Sequence, residues 1–185
     1  AAPHTPFNSD FSLNLDCVPE QAAHLVAMGV KGAFVAGTTG ESLSLTTTER
    51  IDLFHAWGEA AKESGITFIA HIGHNSLPDA QALAEAAQAA GAEAIGAMAP
   101  TFFKPADAGA LVNWFTRITE PASDLPFYFY DIPSMTGVSI DTKEFVQSAG
   151  ERIPSFAGVK YTNPDRDQLQ AILALENYLP DMLWG

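Results

Sequence analysis

Phe156-Ala157-Gly158-Val159-Lys160-Tyr161-Thr162 is the stretch on which the fold turns. It opens with four small or apolar residues in succession and only then reaches a lysine. A strand with one face in water alternates polar and apolar residues, whereas one that is apolar on both faces belongs in a parallel sheet covered by helices. Similar short runs recur at 33–36, 68–72, 94–98, 127–130 and 182–184. Between them lie stretches with apolar residues near three-to-four spacing, at 18–28, 47–63, 79–90, 106–120, 142–149 and 165–177, which predict helices. Plausible caps precede them: Ser44 and Thr46 to Thr48 before Glu49, Pro78-Asp79, Asp107, Asp141, and Asn163-Pro164-Asp165.

A repeating strand–helix pattern with buried strands admits an open doubly wound sheet or a closed barrel. No G-x-G-x-x-G follows the first run, which counts against a dinucleotide-binding sheet. Polar, chemically useful residues instead end several different strands, as barrel active sites require. The expected fold is therefore an α/β (β/α)8 TIM barrel forming a single domain over residues 1–185. Such barrels take about 250 residues, so the chain is expected to hold the exit of a first strand, five complete strands and the start of a seventh. It is expected to be incomplete at its C-terminal end and slightly at its N-terminus, with low stability as an isolated piece. The natural protein is expected to be longer.

The chain has 185 residues, of which 47% are hydrophobic, enough for one substantial core. No apolar run approaches the roughly 20 residues of a membrane helix. Acidic side chains number 22 against 9 basic, a formal net charge of −13, and no basic cluster offsets them locally. Phosphate backbones and anionic lipid surfaces would be repelled, so neither nucleic acid nor membrane is expected as a partner. Cys17 is the single cysteine, which excludes an internal disulfide and fits a reducing, cytoplasmic setting. The first residues, Ala1-Ala2-Pro3-His4, carry neither a basic nor an apolar leader segment.

Three segments could carry chemistry. In Gly37-Thr38-Thr39-Gly40-Glu41-Ser42, a turn after a buried strand offers backbone N–H groups and two hydroxyls to a carboxylate. The alternative is a plain strand-to-helix turn whose threonines satisfy local backbone. Lys160 ends an apolar strand, where desolvation would favour the neutral, nucleophilic amine; the alternative is a lysine reaching into solvent. In Phe127-Tyr128-Phe129-Tyr130-Asp131-Ile132-Pro133, Tyr130 ends a strand and could hold and move a proton, or be a packed tyrosine with one hydrogen bond.

Together and in this order, these segments resemble the dihydrodipicolinate synthase and N-acetylneuraminate lyase family of class I aldolases. The resemblance runs the length of the chain and includes Thr5-Pro6-Phe7, the turn from Gly73 to Ser76, Ala99-Pro100, Thr136-Gly137 and Gly158-Val159-Lys160. It implies a pyruvate imine on Lys160, proton transfer through Tyr130, carboxylate binding by Thr38 and Thr39, and a substrate contact by Thr162. It also implies a homotetramer and no cofactor. Within the family, synthases carry an arginine where Met135 stands and tyrosines where Phe102 and Phe103 stand. Methionine makes no bidentate ion pair and a phenyl ring relays no proton. These departures imply a lyase-type reaction, cleavage of N-acetylneuraminate to pyruvate and N-acetylmannosamine. Gly185 would be the glycine that precedes the family's sugar-binding acidic pair. A related pyruvate-dependent aldolase or synthase and a non-catalytic keto-acid sensor are the competing readings.

His71 and His74 lack a carboxylate at ligand spacing, so roles in supporting neighbouring site residues or in packing are expected and no metal site. His4, His24 and His55 read as surface or helix positions, and Trp57 and Trp114 as packing residues.

Overall fold

A computed structural model describes residues 1–175 and 180–185. Its strands are β1 (Gly32–Val35), β2 (Thr67–His71), β3 (Ala94–Met98), β4 (Phe127–Asp131), β5 (Phe156–Tyr161) and β6 (Asp181–Trp184). Its helices are α1 (Val18–Ala27), α2 (Thr47–Ser64), α3 (Leu77–Ala89), α4 (Ala108–Thr119), the short α5 (Pro133–Thr136), α6 (Thr142–Arg152) and α7 (Arg166–Leu173). The strands follow the order β1-β2-β3-β4-β5-β6 in one sheet. Strictly sequential order is that of a barrel; a doubly wound sheet reverses direction at its switch point. The architecture is thus an incomplete (β/α)8 barrel.

Each expected strand is present within one residue at either end. The helices differ more. α6 runs three residues past the expected 149, to Arg152, because Arg152 lies in a last turn that favours a cation. α3 begins at Leu77, ahead of the expected Pro78-Asp79, which puts the proline in the first turn, where its missing N–H costs nothing. Of the expected 165–177 helix, Asp165 is the cap and residues 166–173 are helical, while Glu176 and Asn177 lie outside the described residues. Thr46 caps α2 in a reciprocal box with Glu49, and Asp107, Asp141 and Asp165 each accept from backbone N–H groups in the first turns of α4, α6 and α7.

By contact, the chain resolves into two compact units: Ala1–Ile72 with Ala82–Ile95, and Gly73–Gln81 with Gly96–Gly185. In the first, β1 and β2 pair in parallel with Gly32 opposite Thr67, and α1 packs on α2. Ala1 hydrogen-bonds to the edge of β1, its amino group donating to the Gly32 carbonyl and its carbonyl accepting from Phe34 N–H.

In the second, β4, β5 and β6 pair in parallel, with Tyr130 opposite Lys160 and Lys160 opposite Leu183. Side chains alternate across a strand, so Phe127 and Phe129 share one face of β4 and Tyr128 and Tyr130 the other. The phenylalanines pack with Phe115 of α4, Phe145 of α6 and Phe156 of β5, at centroid separations from 4.6 Å (Phe129–Phe145) to 5.8 Å (Phe115–Phe145) among the closer pairs. This apolar cluster fixes the helix-facing side, leaving Tyr130 and Lys160 on the opposite face.

Candidate active site

Lys160 stands on β5 beside Tyr130 of β4, in register. Its Nζ lies 3.6 Å from the centroid of the Tyr130 ring and donates to Thr162 Oγ1 at 3.2 Å. The expected burial of the amine is only partial: Lys160 is half-buried, because the strand end opens it to one side, while Tyr130 is 4% exposed. An ammonium on an aromatic face is attracted by the ring quadrupole, and a strand-end hydroxyl two residues on supplies an acceptor. Gly185 closes the group, its N–H donating to the Tyr161 carbonyl. A Cβ built on Gly185 would come within 3.2 Å of both Lys160 Nζ and Thr162 Oγ1. Only a residue without a side chain leaves the amine that much room.

On the other face of the same strands, Asp131 is 3% exposed. Its Oδ2 accepts from Thr142 Oγ1 at 3.0 Å and from Asn163 Nδ2 at 3.1 Å, and its backbone carbonyl accepts from Thr162 N–H at 2.8 Å. Burial pushes the Asp131 carboxyl above its ordinary range, and the two side-chain hydrogen bonds oppose that shift. Tyr161, which also faces this side, donates to the Asp165 carbonyl. Burial first, then the charges of Asp131 and Asp165, push its phenol up to about 12. In the sequence, Asp131 stands out only as a member of the Tyr130-Asp131-Ile132-Pro133 motif. A carboxylate ending an apolar strand must find donors, and that was the signal available.

The turn after β1 lies in the first unit. Thr38 is half-buried and Thr39 exposed. The Thr38 carbonyl accepts from Glu41 N–H at 3.1 Å, the Gly37 carbonyl accepts from Ser42 N–H at 3.3 Å, and Thr5 Oγ1 donates to the Gly40 carbonyl at 2.7 Å. Behind the turn, Ser42 Oγ lies 3.0 Å from His71 Nδ1. Arg50, fully buried, donates to the His71 carbonyl and approaches Nδ1 at 3.4 Å. With a guanidinium N–H aimed at it, Nδ1 acts as the acceptor and Ser42 as a donor. Burial pushes Arg50 down to about 9, still charged at neutral pH. His71 is thus held behind the turn by Ser42 and Arg50, 29 and 21 residues earlier in the chain; Ser42 belongs to the candidate segment at 37–42, whereas Arg50 carried no local signal.

His74 accepts from Ser76 N–H at 3.0 Å, its Nδ1 3.9 Å from Asp79 Oδ2. Asn75 Oδ1 accepts from the N–H groups of Thr101 and Phe102 at 2.7 and 3.1 Å, holding the loop after β3. Phe102 and Phe103 extend from that loop, 77% and 84% exposed.

A sequentially ordered βα sheet with a lysine amine resting on a neighbouring strand's tyrosine defines a barrel protein organised around a strand-end lysine. The dihydrodipicolinate synthetase family model matches residues 1–182, and the chain belongs to that family. It is 37% identical to N-acetylneuraminate lyase of Danio rerio, over 100% of this chain and 61% of that protein, and 40% identical to the Gallus gallus lyase, over 89% and 54%. Among solved structures, Proteus mirabilis N-acetylneuraminate lyase superposes with a TM-score of 0.94 at 36% identity, covering 100% of this chain and 62% of that one. Dihydrodipicolinate synthase of Aquifex aeolicus superposes at 0.91 with 25% identity, over 100% and 61%. The chain spans a little over half the length of the curated relatives it matches.

Proposed function

We propose that this chain carries the Schiff-base centre of an aldolase that cleaves N-acetylneuraminate reversibly to pyruvate and N-acetylmannosamine. The contact between Lys160 Nζ and the Tyr130 ring, with Thr162 and Gly185 beside the amine, is the observation that carries this reading. Similarity to proteins named N-acetylneuraminate lyase supports the choice of substrate. So do Met135, Phe102 and Phe103, which supply neither the cation nor the phenols of a synthase.

In the proposed reaction the neutral amine of Lys160 attacks the C2 ketone of the open-chain sugar acid, and loss of water leaves a protonated imine. Tyr130 takes the proton from the C4 hydroxyl as the C3–C4 bond breaks. The bonding pair moves into the iminium, giving an enamine of pyruvate and the aldehyde of the aminosugar. Delivery of that proton from Tyr130 to C3 and hydrolysis of the imine by water release pyruvate and restore Lys160 and Tyr130. Thr38 and Thr39 are assigned to the keto-acid carboxylate, Thr162 to a hydroxyl contact and Gly185 to space beside the imine. The iminium itself withdraws the electrons, so the scheme calls for neither metal nor cofactor. A homotetramer working in the cytoplasm completes the proposal.

Borohydride with pyruvate is expected to leave a stable adduct on Lys160, and Lys160→Ala to take up none. Absence of the adduct from the unaltered chain would rule out every Schiff-base reading. Activity in the complete protein on 2-keto-3-deoxygluconate but not on N-acetylneuraminate would instead favour a related sugar-acid aldolase.

A further inference from the structure

We propose that Asp131 is a positioning residue for the amine and phenol, acting from the opposite face of the strands through Thr142 and Asn163. The inference rests on the Schiff-base reading and adds to it a cluster that touches neither substrate nor imine.

Tyr130 and Asp131 are consecutive on β4, so their side chains leave on opposite faces; the same holds for Lys160 and Tyr161 on β5. Any shift of one strand end against the other would carry Tyr130 away from Lys160. Asp131 resists such a shift at three points. Its backbone carbonyl accepts from the N–H of Thr162, the residue whose hydroxyl takes a hydrogen bond from Lys160. Its carboxylate accepts from Asn163, the next residue along. The same oxygen accepts from Thr142 at the first position of α6, a residue wholly buried and itself tied to α7, its N–H donating to Gln168 Oε1 at 2.8 Å. One buried carboxylate oxygen therefore joins the ends of β4 and β5 to the start of α6.

The chemistry of the cluster suits this role. A carboxylate in an apolar layer is costly unless its acceptor sites are filled, so it favours the one arrangement that brings both donors to it. A backbone ladder alone is less restrictive, because the register between β4 and β5 already shifts at Phe127/Tyr128. Beyond that irregularity, the side-chain cluster holds the alignment at the strand ends where the amine and the ring meet.

The test uses Asn163→Ala and Thr142→Val in the full chain, with Asp131→Ala and Asp131→Asn beside them. The first two each remove one contact to the Asp131 carboxylate and the Asp131 variants remove or alter both, and none replaces Lys160, Tyr130 or Thr162. The readouts, taken well below each variant's melting temperature, are the rate of pyruvate adduct formation under borohydride and the kcat and KM of cleavage. Displacing reacting groups by about an ångström costs on the order of a hundredfold in rate. Asn163→Ala is accordingly expected to lower adduct formation and kcat at least about tenfold while KM stays within about threefold, a pattern of lost reacting geometry rather than lost binding. Asp131→Asn keeps an acceptor at the same reach and is expected to recover part of what Asp131→Ala loses. If Asp131→Ala does not fold, Asn163→Ala and Thr142→Val still decide. Lowered melting temperature with unaltered adduct rate and kcat in both would overturn the positioning role and leave the Schiff-base reading standing. No adduct in the unaltered chain would instead remove that reading.

Discussion

An amine that must form a covalent bond needs both a neighbour to hold it and room to react, and the residues around Lys160 divide those tasks. Thr162 and the Tyr130 ring hold it; Gly185 provides the room. Gly185→Val is expected to press on Nζ and lower kcat by about tenfold or more, since small misplacements of reacting atoms are magnified in rate; steady-state kinetics beside a melting curve would separate this from unfolding. Ser42→Ala removes a buried hydrogen bond to His71. With Arg50 still beside Nδ1, losing it is expected to cost about 0.5–1.5 kcal/mol, read from denaturant unfolding. At Asp131 the effect depends on pH. Burial raises its folded value above 3.8, so the folded chain keeps a proton that the unfolded chain has released. The stability this residue contributes is complete below 3.8 and is lost as pH rises through the raised folded value. The stability difference between the parent and Asp131→Asn should therefore fall across that window in a pH series of thermal melts. A difference that does not vary with pH would contradict the assignment.

At the scale of elements, the helices are set by their first turns and the strands by what lies against their faces. Thr46→Ala would remove the side-chain half of the α2 capping box, the acceptor for Glu49 N–H, while the Thr46 N–H bond to Glu49 Oε2 survives, at a cost of about 1 kcal/mol, seen as a lowered midpoint in chemical unfolding. Gly158 illustrates the strands. A Cβ there would meet the Asp181 carbonyl oxygen at 2.1 Å and the Tyr128 ring at 3.0 Å, so Gly158→Val is expected to displace β6 from β5. Faster amide exchange at Met182 and Leu183 would report it. Tyr128 OH also donates to Asp181 Oδ2 at 2.9 Å, a tie from β4 to β6 that the substitution would strain.

For the whole molecule, charge is the dominant general property. A formal charge of −13 concentrates like charge on a small surface, and added salt screens that repulsion within roughly a Debye length of 10 Å at 0.1 M. Thermal stability is expected to rise between low and moderate salt at neutral pH; a flat response would mean that local ion pairs already compensate. Among the described residues, no helix is long and apolar enough to cross a membrane.

Periodicity and caps determined the order of strands and helices, while the lack of a G-x-G-x-x-G turn and the polar residues Lys160, Tyr130 and Thr162 at strand ends favoured the barrel class. These are local properties: buried strands are apolar on both faces, and helix starts need acceptors wherever they lie. Folding alone decided which side chains meet. Asp131 finds Asn163 across 32 residues and Thr142 across 11, Ser42 finds His71 across 29, and Lys160 settles on a ring 30 positions earlier in the chain. No spacing rule predicts such pairs, because their contact depends on how two strands align and on which buried polar groups have no other donors to meet.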